Sequence, residues 1–123
     1  MATYSDLIAW RLAHQLVLQT YHATQSWPSD EKFGLCSQAR RAAFSVAATI
    51  AEGQAKRGRA EFRRFLDISL GSLAELGYTL LLAKDLGYLA GSAFDAIEEL
   101  RAEVGRVLWG LYRSISRRNA PPS

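Results

Sequence analysis

A chain of 123 residues is the length of one domain. Apolar types make up 49% and charged types 22%, which excludes an intrinsically disordered chain, and three prolines and nine glycines exclude a collagen-like or low-complexity one. Fifteen cations against twelve carboxylates leave a net charge of +3, and twelve of the cations are arginines, whose planar fork suits phosphate and carboxylate.

From Ser5 to about Thr24 the pattern is helical. Ala9, Trp10, Leu12, Ala13, Leu16, Val17 and Tyr21 share a broad arc opposite Arg11, His14, Gln15 and His22. Ser26-Trp27-Pro28-Ser29 breaks it, and Ser29 is placed to cap a second helix that runs to Glu52 with Gly53 as its stop. Six alanines between Ala39 and Ala51 favour that helix and permit close approach of a neighbour. After a short basic connection, a third helix from about Ala60 sets Phe62, Phe65, Leu66, Ser69, Leu73, Leu76 and Leu80 on one face, ending at Leu86-Gly87. Ser92 with Asp95 reads as a capping box for a fourth helix, whose apolar face is Ile97, Leu100, Val104, Val107, Leu111 and Ile115. Its acids come early and its arginines late, as the helix dipole favours. No stretch alternates with period two. The expected fold is all-α, an antiparallel up-down-up-down four-helix bundle over residues 1–118, followed by a frayed tail at 119–123.

Cys36 has no cysteine to pair with, the longest apolar runs are a few residues, and the N-terminus lacks the basic head and apolar block of a signal peptide. A cytoplasmic protein with no membrane partner is expected. Gly53-Gln54-Ala55-Lys56-Arg57-Gly58-Arg59 has the glycine spacing of a phosphate loop but lacks its lysine, hydroxyl and preceding strand. His14 and His22 are about 12 Å apart along a helix, too far for one metal ion. Without a Ser/His/Asp or Cys/His set, no catalytic residue, metal or cofactor is expected. A metal-dependent enzyme using Glu52 and Glu75 is the one catalytic rival.

Two patterns point elsewhere. Gln38, Arg41, Ser45, Thr49 and Glu52 form a polar stripe on the second helix, and Ser72, Glu75 and Thr79 form another on the third. Solvated faces account for both. A paired seam of Gln38, Arg41, Glu52, Ser72 and Glu75, within one subunit or between subunits, accounts for them equally. The second pattern is charge: Lys56, Arg57, Arg59, Arg63 and Arg64 oppose only Glu61 in the stretch from Gly53 to Arg64. In an up-down bundle Arg113, Arg117 and Arg118 at the end of the fourth helix fall at the same end, forming either a solvated surface or a phosphate-binding patch.

The run Phe33-Gly34-Leu35-Cys36-Ser37-Gln38-Ala39-Arg40-Arg41-Ala42-Ala43, then Ser45-Val46 and Ile50-Ala51-Glu52-Gly53, resembles the signature of a known family. These are the four-helix-bundle proteins encoded in intervening sequences of bacterial 23S ribosomal RNA genes. Glu61-Phe62, Arg64-Phe65-Leu66 and Gly71-Ser72-Leu73-Ala74-Glu75-Leu76 match its third helix, and the resemblance extends over most of the chain to Leu89. This chain departs from it at Ala47 and Thr49, where the family usually has proline and asparagine, and at Arg59, where it has a small capping residue. The resemblance implies a ring-shaped homopentamer without enzymatic activity. A similar accessory protein of diversity-generating retroelements binds nucleic acid and a reverse transcriptase through a basic ring. The expected function is therefore a non-catalytic homo-oligomer that binds RNA or other nucleic acid, mainly at phosphates. The alternative is a protein-protein scaffold, with a partner such as a reverse transcriptase.

Overall fold

The computed structural model describes residues 4–118, and the tail expected at 119–123 lies outside the described residues. Four helices, α1 (Tyr4–Thr24), α2 (Leu35–Ala55), α3 (Arg59–Asp85) and α4 (Gly91–Arg118), are joined by short connections, the first containing a 3-10 turn at Ser29–Glu31. Each helix packs on its neighbour in sequence and α1 closes the ring against α4, while the diagonal pairs stay apart. That is the up-down-up-down bundle expected of amphipathic helices with short links.

The buried stripe of α1 is narrower than its apolar arc. Ala9, Ala13, Leu16, Thr20 and Thr24 are buried, Leu12 and Val17 are half-buried, and Trp10 and Tyr21 stay 36% and 42% exposed. Thr20 and Thr24 can enter the core because their hydroxyls donate to the carbonyls of Leu16 and Thr20, at 2.8 and 2.9 Å.

The start of α2 differs from the expectation. Ser29 opens the separate 3-10 turn, and α2 begins at Leu35 behind Gly34. The first free amide, that of Leu35, donates instead to Glu31 Oε1 at 3.2 Å, so a carboxylate four residues upstream does the capping. The other oxygen of Glu31 accepts from the Tyr88 hydroxyl at 3.0 Å, tying this connection to the one between α3 and α4. That bond first, and partial desolvation second, push the Tyr88 phenol above its ordinary range.

The end of α2 also differs: Gly53 lies inside the helix, which continues to Ala55. Its role is close packing. A Cβ at Gly53 would stand 2.8 Å from Phe65 Cβ and 2.9 Å from Phe62 Cδ1. Around it, the small residues Ala39, Ala42, Ala43 and Ala47 of α2 face the large residues of α3, and all but Phe62 of the seven expected on the α3 face are buried. The Ser69 hydroxyl donates to the Val46 carbonyl at 2.9 Å across this contact.

At the end of α3 the Tyr88 amide bonds the Ala83 carbonyl and the Gly87 amide bonds that of Lys84, at 2.9 and 3.0 Å. This is a Schellman closure, and it needs the left-handed backbone that Gly87 supplies at φ 82°. By length and mean hydropathy α3 could cross a membrane, contrary to the expectation from run lengths. Its apolar stripe, however, is taken up by α2 and α4, and its outer side carries Arg63, Arg64, Asp67, Glu75 and Asp85.

Helix α4 starts at Gly91, which puts Ser92 in the first turn and not at the cap. Its core residues are Ile97, Val104, Leu108 and Ile115, with Leu100, Val107 and Leu111 half-buried. Leu108 is completely buried, although it is not among the positions that periodicity selects.

Gly53→Ala tests the α2–α3 approach. Helix propensity alone favours alanine by about 1 kcal/mol, but overpacking costs about 1–3 kcal/mol. A net loss of stability is expected in chemical denaturation. A gain would show that the two phenylalanines yield freely.

Candidate nucleic-acid interface

The three residues between α2 and α3 are Lys56, Arg57 and Gly58. Lys56 leaves α2 in extended backbone, and Gly58 caps α3 through its carbonyl, which accepts from the Phe62 amide at 3.3 Å. Lys56, Arg57, Arg59, Arg63 and Arg64 are all exposed. Arg59 is the first residue of α3, so its charge adds to the positive end of the helix dipole where a capping residue would offset it.

The structure shows what holds these cations in place. Lys56 Nζ and the Arg64 guanidinium lie 5.6 and 4.7 Å from the centre of the Phe65 ring. The Arg63 guanidinium lies 5.0 Å from the Tyr112 ring and donates to its hydroxyl at 3.1 Å. Arg64 also pairs with Glu61 at 3.3 Å, and that bond and charge hold the Glu61 carboxyl below the ordinary carboxylate range. Aromatic faces attract cations without cancelling their charge. Among the described residues, Arg64 is the only member of the cluster with an ion pair.

The Arg63–Tyr112 contact brings the start of α3 beside the last turns of α4, next to Arg113. Arg113 is exposed there. The side chains of Arg117 and Arg118, also expected in the patch, lie outside the described residues. Ala60, Arg63, Arg64, Asp67 and Tyr112 line an open cleft of about 230 Å³ at this corner. Sequence reasoning missed Tyr112. The available signal is its place three residues after Trp109 and directly before Arg113, on a helix whose apolar face is already complete without it.

The polar stripes behave differently. Ser45 and Ser72 meet across α2 and α3, oxygen to oxygen at 2.7 Å. The Thr49 hydroxyl is spent on its own helix, at 2.6 Å from the Ser45 carbonyl, and Thr79 does the same with Glu75 at 2.9 Å. Arg41 bonds Gln38 of the same helix at 2.7 Å, and both face solvent, as do Glu52 and Glu75. Glu52 adjoins Gly53, which packs on Phe65, ten residues from Glu75 along α3. Among the described residues no group of three or more His, Cys, Asp or Glu is placed to hold a metal ion. Cys36 is buried with its thiol 3.7 Å from the Thr24 carbonyl, and burial pushes its pKa up in spite of nearby Arg40. It is a packed structural thiol.

A small antiparallel four-helix bundle with one strongly basic end is the class that these features define. The family model for the 23S rRNA-intervening sequence protein matches residues 5–110, and the chain belongs to that family. In three dimensions the chain is similar to a crystal structure described as a protein of unknown function from the S23 ribosomal protein family of Bacteroides thetaiotaomicron VPI-5482. The TM-score is 0.82 at 21% identity, over 89% of this chain and 98% of that one, a likeness of fold. Among curated proteins no sequence matches this chain.

Arg41→Ala checks the stripe. In the subunit the guanidinium is solvated, so the unfolding free energy is expected to change by less than about 0.5 kcal/mol. A loss of about 3 kcal/mol would mean that an assembly buries Arg41 against a carboxylate.

Proposed function

We propose that this protein is a non-catalytic homo-oligomer, cytoplasmic and in the form of the pentameric ring that the family resemblance implies, which binds RNA or other nucleic acid through its clustered arginines. The observation that carries the reading is the exposed group of Lys56, Arg57, Arg59, Arg63, Arg64 and Arg113, of which Lys56, Arg63 and Arg64 lie over aromatic rings, with Glu61 and Asp67 as the acids beside them. Such a surface contacts phosphates, whose spacing is the same in any sequence. A ring would repeat the cluster and replace one strong pocket with many weak contacts.

Assembly is supported by apolar side chains that the subunit leaves uncovered. Phe44 on α2 and Ile68 and Tyr78 on α3 are 60%, 41% and 67% exposed, beside the Ser45–Ser72 contact and the Gln38–Arg41 stripe. A native mass of several subunits at micromolar concentration is expected. A mass of one subunit overturns the ring.

A second reading, a scaffold for a protein partner such as a reverse transcriptase, is favoured by the opposite end of the bundle. There Phe33 is 90% exposed and Leu86 50% exposed, in the two connections that Glu31 and Tyr88 tie together.

The salt dependence of binding separates the readings. Affinity for RNA and DNA should be high at about 50 mM salt, nearly indifferent to sequence, and steeply weakened by added salt as counterions return. Replacing Arg57, Arg59, Arg63 and Arg64 with Gln should flatten the salt slope by about one unit for each phosphate no longer neutralised. Fold and assembly should persist, because all four side chains are exposed. No binding by the wild type, or unchanged binding by the quadruple variant, hands the function to the scaffold reading.

A further inference from the structure

The corner where α3 meets α4 carries aromatic surface that the core does not use. Trp109 is 47% exposed, although the buried line of α4 passes through Val104, Leu108 and Ile115 without it. Its indole stands at 76° to the Tyr112 ring, with centroids 5.6 Å apart, and Tyr112 is in turn covered by the Arg63 guanidinium. The indole is thus held out from the surface before any ligand arrives. Arg106 and Arg113 stand three residues before and four residues after Trp109, hence on the same face of α4, and both are exposed. Among the described residues neither makes an ion pair. Asp67 is the one carboxylate lining the adjoining cleft.

We infer that Trp109, flanked by Arg63, Arg106 and Arg113, is a base-stacking platform that makes the basic end prefer single-stranded nucleic acid to duplex. The inference rests on the proposed binding of nucleic acid and adds the form of the ligand. Arginines alone would serve either form, since both present phosphates. An indole serves only a base that is free to leave its stack, and every base offers it a face, so the platform adds affinity without sequence preference. Asp67 fits the same arrangement. Its carboxylate, in the cleft lined by Tyr112 and Arg63, opposes a phosphate there and can accept from a base's exocyclic amine, which leaves the phosphates to the arginines.

The test is fluorescence anisotropy of a labelled 20-nucleotide strand of mixed sequence, as RNA and as DNA, each alone and as its duplex. The wild type should bind at least one of the two single strands several-fold more tightly than its duplex, and the two arms report which sugar it favours. Trp109→Ala should weaken single-strand binding about tenfold while duplex affinity and the salt slope stay unchanged, and Trp109→Phe should recover most of the loss. Circular dichroism and native mass of both variants should match the wild type. Equal affinity for strand and duplex, no effect of Trp109→Ala, or an equal loss on both forms overturns the platform and leaves the phosphate reading in place. Absence of binding to every form overturns that reading, and the platform with it.

Discussion

The close approach of α2 to α3 is the constraint from which the rest of the molecule follows. Two helices can come this near only where one of them is stripped of side-chain bulk, and α2 is stripped by its alanines and Gly53. The contact is then pinned by hydroxyls: Ser69 on the Val46 carbonyl deep in the interface and Ser45 on Ser72 nearer its edge. Buried apolar surface supplies the energy, but it is non-directional; the hydroxyl bonds choose a register. With the register set, the three residues from Lys56 to Gly58 suffice to turn the chain. Lys56 and Arg57 are thereby left exposed at the end of the bundle. Packing at Gly53 and the display of charge at the basic end are two sides of one arrangement.

Apart from Arg64, which pairs with Glu61, the described cations at that end are arranged without an ion pair. Phe65 is buried by the α2–α3 contact, yet its ring takes Lys56 and Arg64, while Tyr112 takes Arg63. An acid in the same place would order these side chains equally well and cancel their field. At the far end of the bundle Lys32, Arg40 and Lys84 also lie over aromatic rings, but there a carboxylate is drawn into the fold. Glu31 there satisfies the Leu35 amide and the Tyr88 hydroxyl, and Arg40 is spent on the Thr24 hydroxyl at 2.8 Å and the Tyr21 ring at 4.8 Å. One end uses its polar groups to close the fold; the other leaves them available.

How far this was legible in the sequence depends on the range of the forces involved. Periodicity locates four helices and six of the eight buried residues of α3, because burial repeats every turn. It fails where a single contact decides. Ser29 looks like a cap by composition, but α2 starts where Glu31 can reach the Leu35 amide, and that carboxylate is steadied by Tyr88 from another connection. Gly53 looks like a stop by type, yet its position is set by two phenylalanines of α3. In α1 the apolar arc overstates the core, since the contact with α2 and α4 buries the narrow line of Ala9, Ala13 and Leu16 together with Asp6 and the self-satisfied threonines. The approach of the start of α3 to the last turns of α4 is legible because it needs only the order of the helices. The aromatic surface beneath them is not, because it depends on which faces of α3 and α4 are left over once the core is full.

That remainder gives the end its chemical character. A purely cationic surface on a helix bundle attracts any polyanion, with affinity set by charge density and salt. Trp109, half exposed, and Tyr112, packed in part against the core, add an aromatic pair beside the arginines of this corner. The exposed apolar residues elsewhere, Phe44 and Tyr78 on α2 and α3, stand among serines, glutamine and alternating charges, surroundings that suit another protein surface. Those at the basic end stand among arginines and suit a ligand that is flat, apolar on its faces and negatively charged along its edge. The outer face of α2 and α3 and the α3–α4 corner therefore offer two different surfaces; under the proposed function the first would serve assembly and the second the nucleic acid.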